Sequence, residues 1–240
     1  MSTTESGSRR VYAIDVGSTR SGAFAWARPI DGEPRVVEGG TSIEALLDLL
    51  VADLRAGHAV ALGLEAPLYI PVPQAAADLS SGRTNESGRA WSAPTGLAVT
   101  ALGLHQLAWI MSTLGSRLDQ RPAFTLDWNT WRSAPGPLLY VWEAFVSGSA
   151  HARSGGPGDH LRDAATAVVG FREHAWDHEP ESALGVGVHG APDAEVPVLS
   201  LPALAALWAG WPVEDAALRT RTLVVRPESP FAGEIRTMLA

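Results

Sequence analysis

Four segments of this chain each deliver a carboxylate where a buried strand breaks or a late helix begins. They are VYAIDVGSTR with Asp15, AVALGLEAPL with Glu65, LLYVWEAFVSG with Glu143, and GDHLRDAATAVVGF with Asp159 and Asp163. Brought together, such groups repel: two charges ~5 Å apart at an effective dielectric of ~20 cost about 3 kcal/mol. Three or four are sustained at neutral pH by cations. Oxygen-only ligands of this type suit Mg2+ or Mn2+, which keep several waters and bind phosphate oxygens. Two such ions roughly 3.5–4 Å apart would serve the in-line displacement of a phosphodiester. Taken singly, each acid reads equally well as a turn cap, a helix cap or a surface residue. The set in its order is what points to a metal site.

Further groups could attend that site. Asp159 and Asp163 are four apart, so one helix face presents both. Arg20 sits in the first turn, where it is either a phosphate contact or a surface charge. The Pro-, Ser- and Gly-rich stretch from Ile70 to Pro94 carries Arg83, Asn85, Glu86, Arg89 and Trp91. That mixture of guanidinium, small and aromatic groups suits phosphate contact and base stacking, and it follows directly on Glu65. His151 and His160 flank a flexible connection and could move protons, His160 being the better placed. His174 and His178 share a helix face but stand at a helix end, where the dipole alone favours histidine.

The elements that must position these residues are legible from periodicity. VYAIDVGSTRSGAFAWARP reads as two strands around a Gly/Ser turn, and PRVVEGG as a third that completes an antiparallel meander. TSIEALLDLLVADLRAGH has apolar residues at helical spacing, a Thr/Ser cap, Glu44, and a stop at Gly57. AVALGLEAPL is a continuous apolar strand of the kind covered on both faces. GLAVTALGLHQLAWIMSTLGSRL predicts a largely buried helix, LLYVWEAF another strand, and GDHLRDAATAVVGFREHAWD the helix that carries the last acids. Beyond Pro180 the pattern predicts two strands and a short helix, and residues 1–10 a disordered tail.

Bulk properties bound the function. At 240 residues one domain is expected over residues 11–240, with a C-terminal extension from about 180. The longest apolar runs read as too short for a membrane span, and no segment reads as a signal peptide. Cys is absent, which excludes disulfides and thiolate chemistry and fits a cytoplasmic protein. All 18 basic residues are Arg, so every lysine-based mechanism is excluded. A net charge of −8 weighs against a broad phosphate-binding surface, though a local Arg patch remains compatible with it. No G-x-S-x-G, P-loop or dinucleotide fingerprint is present.

The order of these elements resembles the RNase H-like superfamily, and within it the Holliday-junction-resolvase branch and related uncharacterised predicted nucleases. The residues that carry the likeness are Ile14 to Ser18, Leu64 to Leu68, Trp142 to Phe145 and Asp159 to Ala165, within residues 11–173. The resemblance implies an α/β domain with a mixed five-stranded sheet, three antiparallel strands followed by two parallel ones, and helices on both faces. It implies metal-dependent phosphodiester hydrolysis of a nucleic acid, with Asp15, Glu65 and Asp163 as metal ligands and Glu143 or Asp159 completing the set. Many relatives carry a Lys or His near the site, and this chain has no Lys. Two other readings stand beside it: a module of this fold that has lost catalysis and serves in binding or assembly, and a phosphotransferase or ATPase of the actin-like superfamily. The latter rests on IDVGSTRSG alone, without the second Gly-rich phosphate loop.

Overall fold

Small side chains on one face of the central strands that hold Ala13, Ala27 and Ala61, and large ones on the other, decide how this chain packs. The computed structural model describes residues 8–86, 90–146, 157–178, 180–185, 187–188 and 196–238. Strand β1 (Arg9–Asp15) sends Tyr12 and Ile14 to one face and Val11 and Ala13 to the other. β2 (Ala25–Ile30) runs antiparallel to it and β3 (Glu33–Gly40) antiparallel to β2. Helix α1 (Ile43–Arg55) follows, capped by Ser42, whose hydroxyl accepts from Ala45 N at 3.1 Å. The chain leaves it through Gly57 at φ +86°, a conformation that only glycine adopts cheaply.

β4 (Ala59–Glu65) returns parallel to β1, in a register that runs from Arg9 beside Ala59 to Asp15 beside Glu65. The short β5 (Tyr69–Pro71) pairs with β8 (Val198–Ser200) in a separate two-stranded ribbon. Helix α2 (Pro94–Arg117) leads to β6 (Ala123–Thr125), α3 (Trp128–Arg132) and β7 (Leu138–Ala144), the last parallel to β4. Then come α4 (Pro157–Ala175), α5 (Leu201–Trp208), β9 (Val224–Val225) and β10 (Glu234–Thr237).

The expected five strands are β1 to β4 and β7, three antiparallel and two parallel additions, with helices on both faces. The chain extends them to eight, in the order β10-β3-β2-β1-β4-β7-β6, with β9 on β7. One edge of β7 is shared: β6 covers its first half and β9 its end. The region beyond Pro180 thus completes the sheet at both sides. At the other terminus, β1 begins at Arg9, inside the stretch expected to be a tail; Arg9 stacks 4.4 Å over the Trp176 ring. Residues 1–7 of that expected tail lie outside the described residues.

The two faces have different jobs. Tyr12, Ile14, Leu62, Leu64, Leu139 and Val141 pack against α1, α2 and α5 in the larger core. The opposite face offers Ala13, Ala25, Ala27, Ala59 and Ala61, and onto this low surface α4 lays Ala164, Ala165, Ala167 and Val168. A Cβ at Gly39 would stand 2.6 Å from Leu161 of α4, so the glycine is what lets helix and sheet approach. By length and composition α2 is long and apolar enough to cross a membrane, contrary to the sequence expectation. It buries one face through Leu107, Ile110, Met111 and Leu114 and leaves Leu97 and Trp109 exposed, so it is less covered than its sequence suggested.

Candidate metal centre

Strand parity brings two of the acids together, and the packing of α4 adds a third. Residues in register on adjacent parallel strands share a face, so Asp15 at the end of β1 and Glu65 at the end of β4 stand side by side. Both lie on the alanine-lined face, and α4 packs against that face with its first turns at the carboxyl edge of the sheet. Asp15, Glu65 and Asp163 each contribute a carboxylate oxygen, and the three atoms lie within 4.8 Å of one another. Asp163 is 1% exposed and Asp15 is 8% exposed. The loop that leaves Asp15 is equally fixed. A Cβ on Gly17 would overlap the Ala23 backbone, and Gln106 of α2 donates from Nε2 to the Gly17 carbonyl at 2.6 Å.

His160, one residue into α4 from Asp159, places Nδ1 2.6 Å from Asp15 Oδ2. Burial raises the Asp15 carboxyl to about 7, with Asp163 adding repulsion; the contact with His160 pulls the other way. Asp15 therefore holds a proton at a pH where most aspartates have lost theirs. Three oxygen donors this close, one of them with so strong a preference for its neutral form, match the chemistry of a hard divalent cation, which relieves both burial and repulsion.

Glu143 does not join them. Its register partner on β4 is Leu64, not Glu65, so its side chain emerges on the opposite face. There it is fully buried and accepts two hydrogen bonds from Arg83, from Nη1 to Oε2 at 2.7 Å and from Nη2 to Oε1 at 2.8 Å. Oε2 also accepts from the Leu68 amide at 2.9 Å. Burial raises the Glu143 carboxyl, and the Arg83 charge opposes that rise. Asp159 sits half-buried in the first turn of α4, one residue before His160.

The expected substrate contacts fare differently. Arg83 is wholly buried, bonded also to Glu86 and lying 4.7 Å over the Tyr69 ring, so it faces no substrate. Trp91 is buried too and donates to the Ser81 carbonyl at 3.0 Å, which leaves no open ring face for base stacking. Arg20 is exposed on the loop after Asp15, beside Ser18, Thr19 and Ser21. Arg89 and His151 lie outside the described residues, and His174 and His178 are exposed on the last turn of α4 and just past it. What sequence reading missed is the Arg83–Glu143 bond, since both residues were assigned to the site itself. Comparison with family models, with curated proteins and with solved structures returns no match.

Proposed function

We propose that this chain is a divalent-metal-dependent phosphodiesterase acting on a nucleic acid, built on an RNase H-like domain and working in the cytoplasm. The observation that carries the reading is the convergence of Asp15, Glu65 and Asp163 at the carboxyl edge of adjacent parallel strands, with oxygens within 4.8 Å. Scattered surface acids would have favoured the binding-module reading instead. Mg2+ or Mn2+ would be held by these three residues, with Asp159 near enough in sequence to assist. When bound, such an ion acidifies water and offsets the charge that develops on phosphoryl oxygens.

The chain's own groups do the rest. Asp15 and Asp163, both buried, give the ion a dry seat on the sheet, where its charge is least screened. His160 is held by Asp15 through Nδ1, which leaves Nε2 to accept or donate a proton at the attacking or leaving oxygen. The exposed Ser18, Thr19, Arg20 and Ser21 offer hydroxyls and one cation to a phosphate that lies across the edge.

A panel of DNA and RNA substrates incubated with Mn2+ tests this. Wild-type protein is expected to cleave at least one of them, and Asp163→Asn to lose roughly 10²- to 10⁴-fold in rate, the scale of a lost group that stabilises the transition state. Cleavage by Asp163→Asn at the wild-type rate would remove the reading.

A further inference from the structure

We propose that Arg83 and Glu143 are positioning residues for Glu65, acting through the turn that joins β4 to β5; this rests on the metal-site reading above. The turn is only Ala66, Pro67 and Leu68, and it is held from three sides. Glu143 Oε2 accepts from the Leu68 amide at 2.9 Å. The Leu68 carbonyl accepts from Leu201 N of α5 at 3.0 Å. Ala66 is pressed against Gly103 of α2, where a Cβ would come within 2.6 Å of the Ala66 methyl. Glu65 is thereby fixed at its own strand by pairing with Asp15, and at its exit by Leu68, whose amide N–H and carbonyl are both engaged.

Of these three holds, the one through Glu143 is charged and buried, so it is the stiffest and the most conditional. Glu143 reaches the Leu68 amide only while Arg83 grips both of its oxygens in a planar fork. Arg83 is in turn set by Glu86, whose Oε2 accepts from Arg83 N at 2.9 Å and whose Oε1 takes bonds from Nε and Nη2. Asn85, between them, stands at φ +67° and lends its carbonyl to Arg226 at 3.0 Å. The Arg83–Glu86 turn therefore reports its position to Glu65 through one guanidinium and one carboxylate. Any movement of that turn shifts a metal ligand on the far face of the sheet.

The experiment is isothermal titration with Mn2+ on wild type, Glu143→Gln, Arg83→Lys, and Val37→Ala, a core variant of β3 that serves as a control of lowered stability. Glu143→Gln is expected to bind Mn2+ at least tenfold more weakly than wild type. Arg83→Lys keeps the charge and loses the fork, and is expected to fall about three- to tenfold. Val37→Ala, compared at the same fraction folded, is expected to keep wild-type affinity. Wild-type affinity in both Glu143→Gln and Arg83→Lys would overturn the positioning role. Should Glu143→Gln not fold, Arg83→Lys decides alone. Should the wild type bind no Mn2+, the metal reading fails, and metal-free amide spectra decide the clamp separately. Shift changes in the variants that reach Glu65 and Ala66 support it; changes confined to Arg83, Glu86 and Leu68 overturn it.

Discussion

Asp15 pairs a buried carboxyl with a raised affinity for protons, and two consequences follow at the level of the single residue. In the folded chain this group titrates near 7, whereas in the unfolded chain it titrates near ~3.9. Between those values the folded protein holds a proton that the unfolded one has released, so the metal-free protein loses stability as pH rises from about 4 to about 7. The loss is of the order of a few kcal/mol. Asp15→Asn is therefore expected to raise the melting temperature of the metal-free protein by several degrees at pH 8 and by much less at pH 5. Calorimetry at the two pH values checks it, and an equal gain at both would contradict it. The same proton competes with the cation: Mn2+ affinity is expected to fall as pH drops below about 7, approaching tenfold per unit. A flat profile from pH 6 to 8 would mean that Asp15 is not a ligand. Arg83 gives a contrasting case. Replacing it with Met strands two buried carboxylates, and a loss of about 3–5 kcal/mol in urea unfolding is expected.

Strands and helices set how near the acids come. Gly63 lies two residues before Glu65 on the same face, and a Cβ there would penetrate the Trp142 ring, which packs 4.5 Å from Phe171 of α4. Gly63→Ala is expected to cost about 1–3 kcal/mol by overpacking and to lift α4 from the sheet, weakening Mn2+ binding together with stability. Loss of stability with unchanged binding would show that α4 tolerates the shift. Much of this architecture was legible beforehand: the meander, α1 with its Ser42 cap, β4, β7 and α4 all follow from periodicity and caps in the sequence. The three converging acids were legible too, because Asp15 and Glu65 end readable strands and Asp163 lies in the early turns of a readable helix. The facing of Glu143 was not. β7 is buried on both sides along its whole length, so its apolar run carries no alternation to tell one face from the other. Only its register against β4, a long-range property, decides that Glu143 follows Leu64. Arg83 was misassigned for a related reason: an arginine in a polar loop reads as exposed, and its two buried partners are 3 and 60 residues away. The short β6 and β10 lacked a pattern of their own because pairing with β7 and β3, not propensity, makes them strands.

At the scale of the whole molecule, binding and folding are linked. A cation that seats itself among three carboxylates of the folded chain alone stabilises it by about 2.7 kcal/mol at a concentration a hundred times its Kd. Saturating Mn2+ is expected to raise the melting temperature of the wild type and to leave Asp163→Asn unmoved. Charge distribution shapes the partner as well. Arg10, Arg28, Arg83, Arg117 and Arg236 are all engaged with acids of this chain, and the chain carries a net charge of −8. Nucleic acid is therefore expected to bind with a shallow salt dependence, log K against log salt having a slope smaller than ~3 in magnitude, where a basic-patch protein shows more. A steep slope would reveal a cationic surface that these pairings do not provide. One last property follows from β10, which lies parallel to β3 at the outer edge of the sheet. About 200 residues separate those two strands, or roughly 10–40 s of translation at 5–20 residues per second. Throughout that interval the nascent chain presents β3 as an open template to its neighbours on the polysome, so yield in a cell is expected to depend on what shields that strand until β10 has emerged from the ribosome.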